Sequence, residues 1–145
     1  MLQEQLIKLD ACTAARVWVG NKELSEAWAT CDRGDWMLWY AKRVGVNLRT
    51  LTAAKAECAA LVLHLMKDER SRNAVEVARS YGRGEATDEE LSAVADAAYA
   101  AAYAAYAYYA ADVMQETLAK CAEIVRGIIT LEILESAIIE IKRTP

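Results

Sequence analysis

The single histidine, His64, lies in Leu61-Val62-Leu63-His64-Leu65-Met66. A histidine acting as a general base needs a carboxylate or a nucleophile within hydrogen-bond reach. Glu57 stands seven residues earlier, two helical turns away on the same side, too far for a direct bond without bending. His64 therefore reads as the edge of a packed helix, with an enzyme built around His64 and Glu57 as the alternative. Cys58 and His64 are six apart, so on a helix they point to different sides and do not share a metal ion. The four cysteines (Cys12, Cys31, Cys58 and Cys121) form no CxxC pair and are expected as buried, inert thiols in a reducing compartment. GxSxG, HExxH, GxGxxG and the phosphate-loop pattern do not occur. No catalytic, cofactor or metal residue is assigned, and an enzyme is not expected.

Other constellations have a binding reading beside a packing one. Arg33-Gly34-Asp35 spells an adhesive tripeptide, but Gly34 as a helix terminator and Asp35 as the next N-cap account for the same residues. Trp18, Trp28, Trp36, Trp39 and Tyr40 are rings that could stack ligands or bases; at helical spacing they are expected in the core. Lys67, Arg70, Arg72, Arg79 and Arg83 form a basic cluster, interrupted by Asp68, Glu69 and Glu76, that suits a solvated helix face better than nucleic acid. In the last helix Ile139 sits among Glu132, Glu135, Ser136 and Arg143, on the polar face that also carries Glu140, opposite an apolar face of Leu131, Leu134, Ile138 and Ile141. An apolar anchor ringed by acids suits a basic protein partner. Glu132, Glu135, Ile139 and Glu140 are the candidate contact residues.

The elements that must position these residues are helical. Of 145 residues, 29 are alanine, and the one proline is Pro145. This length suits one domain, residues 1–145, with a core that needs no metal or disulfide. No apolar run spans a membrane, and the start, MLQEQLIKLD, has neither a basic nor an apolar signal region. Residues 1–84 carry 13 Lys/Arg against 10 Asp/Glu, whereas 85–145 carry 4 against 11, so one part of the surface is acidic. The spacing predicts one N-terminal helix from Leu2 to a stop at Gly20, then helices at Leu24–Cys31, Asp35–Gly45, Leu51–Lys67 and Arg72–Tyr81. A loop at Tyr81–Gly84 and a capping box at Thr87–Glu90 precede a long helix running to Gly127. Its Ala97–Ala111 stretch holds only alanine and tyrosine, with Tyr99, Tyr103 and Tyr106 on one stripe, Tyr109 at its edge and Tyr108 opposite. That stretch suits a central core helix or a homodimer seam. Thr130 caps a last helix. The expected fold is all-α, a compact bundle of about six or seven helices around the Ala/Tyr helix.

Three stretches carry a family resemblance: Glu26-Ala27-Trp28-Ala29-Thr30-Cys31-Asp32-Arg33-Gly34-Asp35-Trp36-Met37-Leu38-Trp39, then Gly84-Glu85-Ala86-Thr87-Asp88-Glu89-Glu90-Leu91 leading into the Ala/Tyr stretch, then Cys121-Ala122-Glu123-Ile124-Val125-Arg126. In order and placement the chain resembles the immunity-protein family of bacterial polymorphic toxin systems, which has phage-encoded relatives. It departs from that pattern at Gly127 and Thr130, where a basic residue and a proline are expected. The resemblance implies an all-α cytoplasmic inhibitor that occludes a protein partner, and it supplies no catalytic residues; from charge and hydropathy, neither a nucleic-acid nor a membrane partner is expected, and no cofactor is. The partner is a toxin or, for a phage-borne gene, a bacterial defence component. The alternative is an anti-defence inhibitor of anti-CRISPR type that self-associates through the Ala/Tyr helix.

Overall fold

Asp10 divides the N-terminal apolar stripe, expected as one helix, into α1 (Leu2–Lys8) and α2 (Thr13–Val19). Its φ of 61° lies in the left-handed region, which a short polar side chain tolerates better than an apolar one. The Asp10 N–H donates to the Ile7 carbonyl (3.0 Å) and the Ala11 N–H to the Leu6 carbonyl (2.9 Å). This bond pair is a Schellman end, with an aspartate where glycine is usual.

The structure, a computed structural model, describes the backbone of residues 1–65, 69–94 and 111–143, and side chains at 1–64, 69–94 and 114–143. The described residues form an all-α fold. After α2 come α3 (Leu24–Thr30), α4 (Gly34–Arg43), α5 (Leu48–Ala60), a 3-10 turn (Leu63–Leu65) and α6 (Glu69–Gly82). A helical stretch at 88–94 (α7), then α8 (Ala111–Ile128) and α9 (Leu131–Arg143), complete the set. That makes nine helices among the described residues against the six or seven expected, the break at Asp10 adding one. The Ala/Tyr stretch, with the central-helix and homodimer readings placed on Tyr99, Tyr103, Tyr106, Tyr108 and Tyr109, lies outside the described residues, as does Lys67.

Caps set several of the other boundaries. The Asn47 side chain accepts from the Thr50 N–H (2.9 Å), so α5 starts three residues before the expected Leu51. It stops at Ala60 because Leu61 and Val62 bond back three residues, to Cys58 and Ala59, and tighten the chain into the 3-10 turn. Gly45, at φ 92°, closes α4 with the same bond pair as Asp10. The capping box forms as its pattern predicts: Glu90 N–H donates to Thr87 Oγ1 (3.1 Å) and Thr87 N–H to Glu90 Oε1 (3.3 Å). Thr130 Oγ1 accepts from the Ile133 N–H (3.4 Å) at the start of α9.

α8 seats on α4 and α5, and α6 lies along α5. Ala122, Val125, Ile129 and Leu134 are fully buried at this junction, with Met37, Ala41, Leu51 and Ala54 against them. Each of the larger ones, Val125, Ile129, Leu134, Met37 and Leu51, contributes about 1.5–3 kcal/mol, and the alanines less. Gly34 corrects the sequence reading. It does not end a helix in the left-handed region; it opens α4, and a Cβ there would lie 2.5 Å from Cys121 Cβ and 2.9 Å from the Ala122 nitrogen. Asp35, expected as the N-cap, falls in the first turn and pairs with Arg33 instead, Nε and Nη2 donating at 2.9 and 2.6 Å. The Arg33-Gly34-Asp35 tripeptide is thus tied up within itself.

Gly127 contrasts with Gly34. It is helical, and nothing lies within 4 Å of a Cβ built on it. Gly127→Ala is expected to raise stability by about 0.5–1 kcal/mol in urea denaturation, through helix propensity alone.

Candidate functional site

Residues 132, 135, 136, 139 and 140 recur at helical spacing, and α9 turns them to one side. Leu134 is fully buried and Ile133, Ala137 and Ile138 pack on the core, so Glu132, Glu135, Ser136, Ile139 and Glu140 are exposed together. Half of Ile139 (50%) is open to water. Ile141, expected on the buried face, is also about half exposed (49%). The end of α9 runs past the core edge there, and Ile141 rests over Gly45, where a Cβ would meet its Cδ1 at 2.7 Å.

His64 is exposed on the 3-10 turn. Glu57 is engaged elsewhere: both carboxylate oxygens accept from Arg79, Nε and Nη2 each at 3.0 Å. The guanidinium holds the Glu57 carboxyl below the ordinary carboxylate range. Within the basic cluster, Arg79 is thus spent on Glu57 and Glu76, and Arg83 on Glu85. Cys31 and Cys121 are buried and Cys58 partly so, but Cys12, expected inside, is exposed. Burial pushes the Cys31 thiol up, as expected of an unreactive sulfhydryl. Among the described residues no group of three or more His, Cys, Asp or Glu is placed to hold a metal ion, and no helix is long and apolar enough to cross a membrane.

The indoles divide into two kinds. Trp28 is in the core: its Nε1 donates to the Ile129 carbonyl at 2.9 Å. Arg126 reaches the other way, Nη1 donating to the Cys31 carbonyl (2.6 Å) and to the Trp28 carbonyl (3.3 Å). These bonds satisfy the C-terminal end of α3 and the joint between α8 and α9 at once. Trp18, Trp36 and Trp39 are only partly buried. With Trp28 and Tyr40 they line an open cleft of about 440 Å³ between α1, α2, α3 and α4. Packing alone does not describe these rings. His64 does not line this cleft.

Tyr40, at the cleft wall, is buried and donates to Gln5 Oε1 at 2.8 Å. Burial pushes its hydroxyl up to about 12. An unfolded tyrosine ionises near pH ~10, so Tyr40 contributes in full below that pH. Its contribution, at most about 2–3 kcal/mol, is lost as pH rises toward 12. The stability difference between wild type and Tyr40→Phe, measured by urea denaturation, is expected to shrink across that window.

No family model, curated protein or solved structure matches the chain. The motif residues can be placed even so. Trp28, Cys31 and Gly34 of the first stretch meet Cys121, Ala122, Arg126 and Ile129 in and beside the third. Those residues build the fold. The exposed acidic face of α9 and the indole cleft remain as surfaces that can act on other molecules. Sequence periodicity found the first and missed the second, because helical spacing places an aromatic on a face without saying what lies opposite it.

Proposed function

We propose that the chain is a non-enzymatic binding protein that neutralises a protein partner by covering it, with the outer face of α9 as the contact surface. The observation that carries this reading is the half-exposed Ile139 set among Glu132, Glu135 and Glu140 on a helix whose other side is anchored by the fully buried Leu134. An apolar centre on a rigid element, with Glu132, Glu135 and Glu140 outnumbering the exposed Arg143 on the same face, suits a basic partner: the acids steer encounter, and the isoleucine is desolvated on contact. Burying the open half of Ile139 is worth about 1 kcal/mol, or roughly fivefold in affinity. The partner class is a bacterial toxin or, for a phage-borne gene, a host defence protein.

The test is co-expression with each gene beside its own, looking for a product that is toxic alone and harmless with this chain. Glu132→Lys with Glu135→Lys is expected to abolish protection and to weaken binding by about tenfold or more at low salt. A charge-reversed protein that protects as well as wild type, with the same salt dependence, removes the α9 face from the reading.

A further inference from the structure

The indole cleft is far larger than a packing defect. At about 440 Å³ it falls among small-molecule sites, which run from ~300 to ~1,000 Å³. It is roughly three times the ~150 Å³ that accommodates benzene in an engineered cavity. Trp18 and Trp36 meet at 6.3 Å and 58°, and Trp28 and Tyr40 at 6.5 Å and 51°. Both pairs are tilted, so these rings do not stack face to face on one another.

Charge narrows the occupant. Lys22, Arg33 and Arg43 already lie over the rings of Trp18, Trp36 and Trp39, at 4.7, 4.4 and 5.2 Å from the centroids. A cation on a ring draws its π density, which makes that ring a poor seat for a second cation. Asp10 lines the cleft and opposes an anion, whereas Asp35, which also lines it, is neutralised by its pair with Arg33. A neutral, flat, apolar molecule meets neither objection. We propose that the cleft between α1, α2, α3 and α4 is a binding site for a neutral aromatic ligand of two or three rings, selecting against charge of either sign. This site is separate from the α9 face, and neither reading depends on the other.

Two dyes sharing one skeleton test it: uncharged N-phenylnaphthylamine and its sulfonated counterpart, anilinonaphthalene sulfonate. The neutral dye is expected to saturate at one molecule per chain and to quench tryptophan fluorescence. The sulfonate is expected to bind about tenfold more weakly or worse. Cys12, exposed and lining the cleft, reports position: bound neutral dye is expected to slow its alkylation by a maleimide, read by peptide mass. Ala15→Phe places a ring in the recess and is expected to remove binding; if that variant fails to fold, Cys12 protection in the native chain decides alone. Non-saturating uptake, a sulfonate that binds as tightly as the neutral dye, or Cys12 alkylation unaffected by dye overturns the proposal.

Discussion

Trp28→Ala is expected to cost about 4–8 kcal/mol, a large part of the ~5–15 kcal/mol that holds a domain of this kind together. Truncating a buried tryptophan opens a cavity worth about 3–5 kcal/mol. The indole N–H is also the donor for the Ile129 carbonyl, and Ile129 itself is fully buried. Leaving that carbonyl without its partner adds about 1–3 kcal/mol. Trp28→Phe keeps an aromatic ring and loses the donor, so it is expected to fall between, at about 1–3 kcal/mol. Urea denaturation followed by near-UV circular dichroism separates the two. If alanine and phenylalanine cost the same, the ring contributes nothing beyond its N–H, and this account of the core is wrong.

Gly34→Ala is expected to lower stability by about 3 kcal/mol, the upper end for overpacking. The new Cβ would come within 2.9 Å or less of three atoms, and two of them, the Ala122 nitrogen and the Cys121 carbonyl carbon, are backbone. Neither can rotate away, so α4 and α8 must separate. For a chain of this size that corresponds to a fall in Tm of roughly 10 °C. The same substitution at Gly127 carries the opposite sign. A scan in which both variants move the same way would mean that helix propensity, and not the approach of two backbones, governs Gly34.

The contrast shows what could be read from the chain. Gly45, the Thr87–Glu90 box, the Thr130 cap and the two-faced spacing of α9 are local signals, each decided by residues within a turn or two, and the structure forms them as their types require. The break at Asp10 was hidden because apolar spacing continues through it; the signal was an aspartate able to adopt φ 61°. Gly34 looked like a turn residue, and only the arrival of Cys121 and Ala122 shows that its missing side chain makes room for a helix 87 positions further along. The cleft was the least accessible. Trp18, Trp36 and Trp39 sit on faces that point inward by periodicity, yet the volume between them depends on how far apart four short helices are held. The candidate contact residues Glu132, Glu135, Ile139 and Glu140 all fall on one exposed stripe, as amphipathic spacing places them, whereas Ile141 shows that spacing does not say where the helix runs past the core.

The clasp between Trp28, Cys31, Arg126 and Ile129 also constrains how the protein is made. Its hydrogen bonds join positions 101 and 95 residues apart. A ribosome adding about 5–20 residues per second needs roughly 5–20 s to deliver the second half of each bond after the first. Throughout that interval the nascent amino-terminal helices lack both the acceptor for the indole and the guanidinium that closes their last turn. The early part of the polypeptide therefore waits, solvated and loosely ordered, until its distant counterpart clears the exit tunnel, and a premature stop before codon 126 leaves it without a closed core.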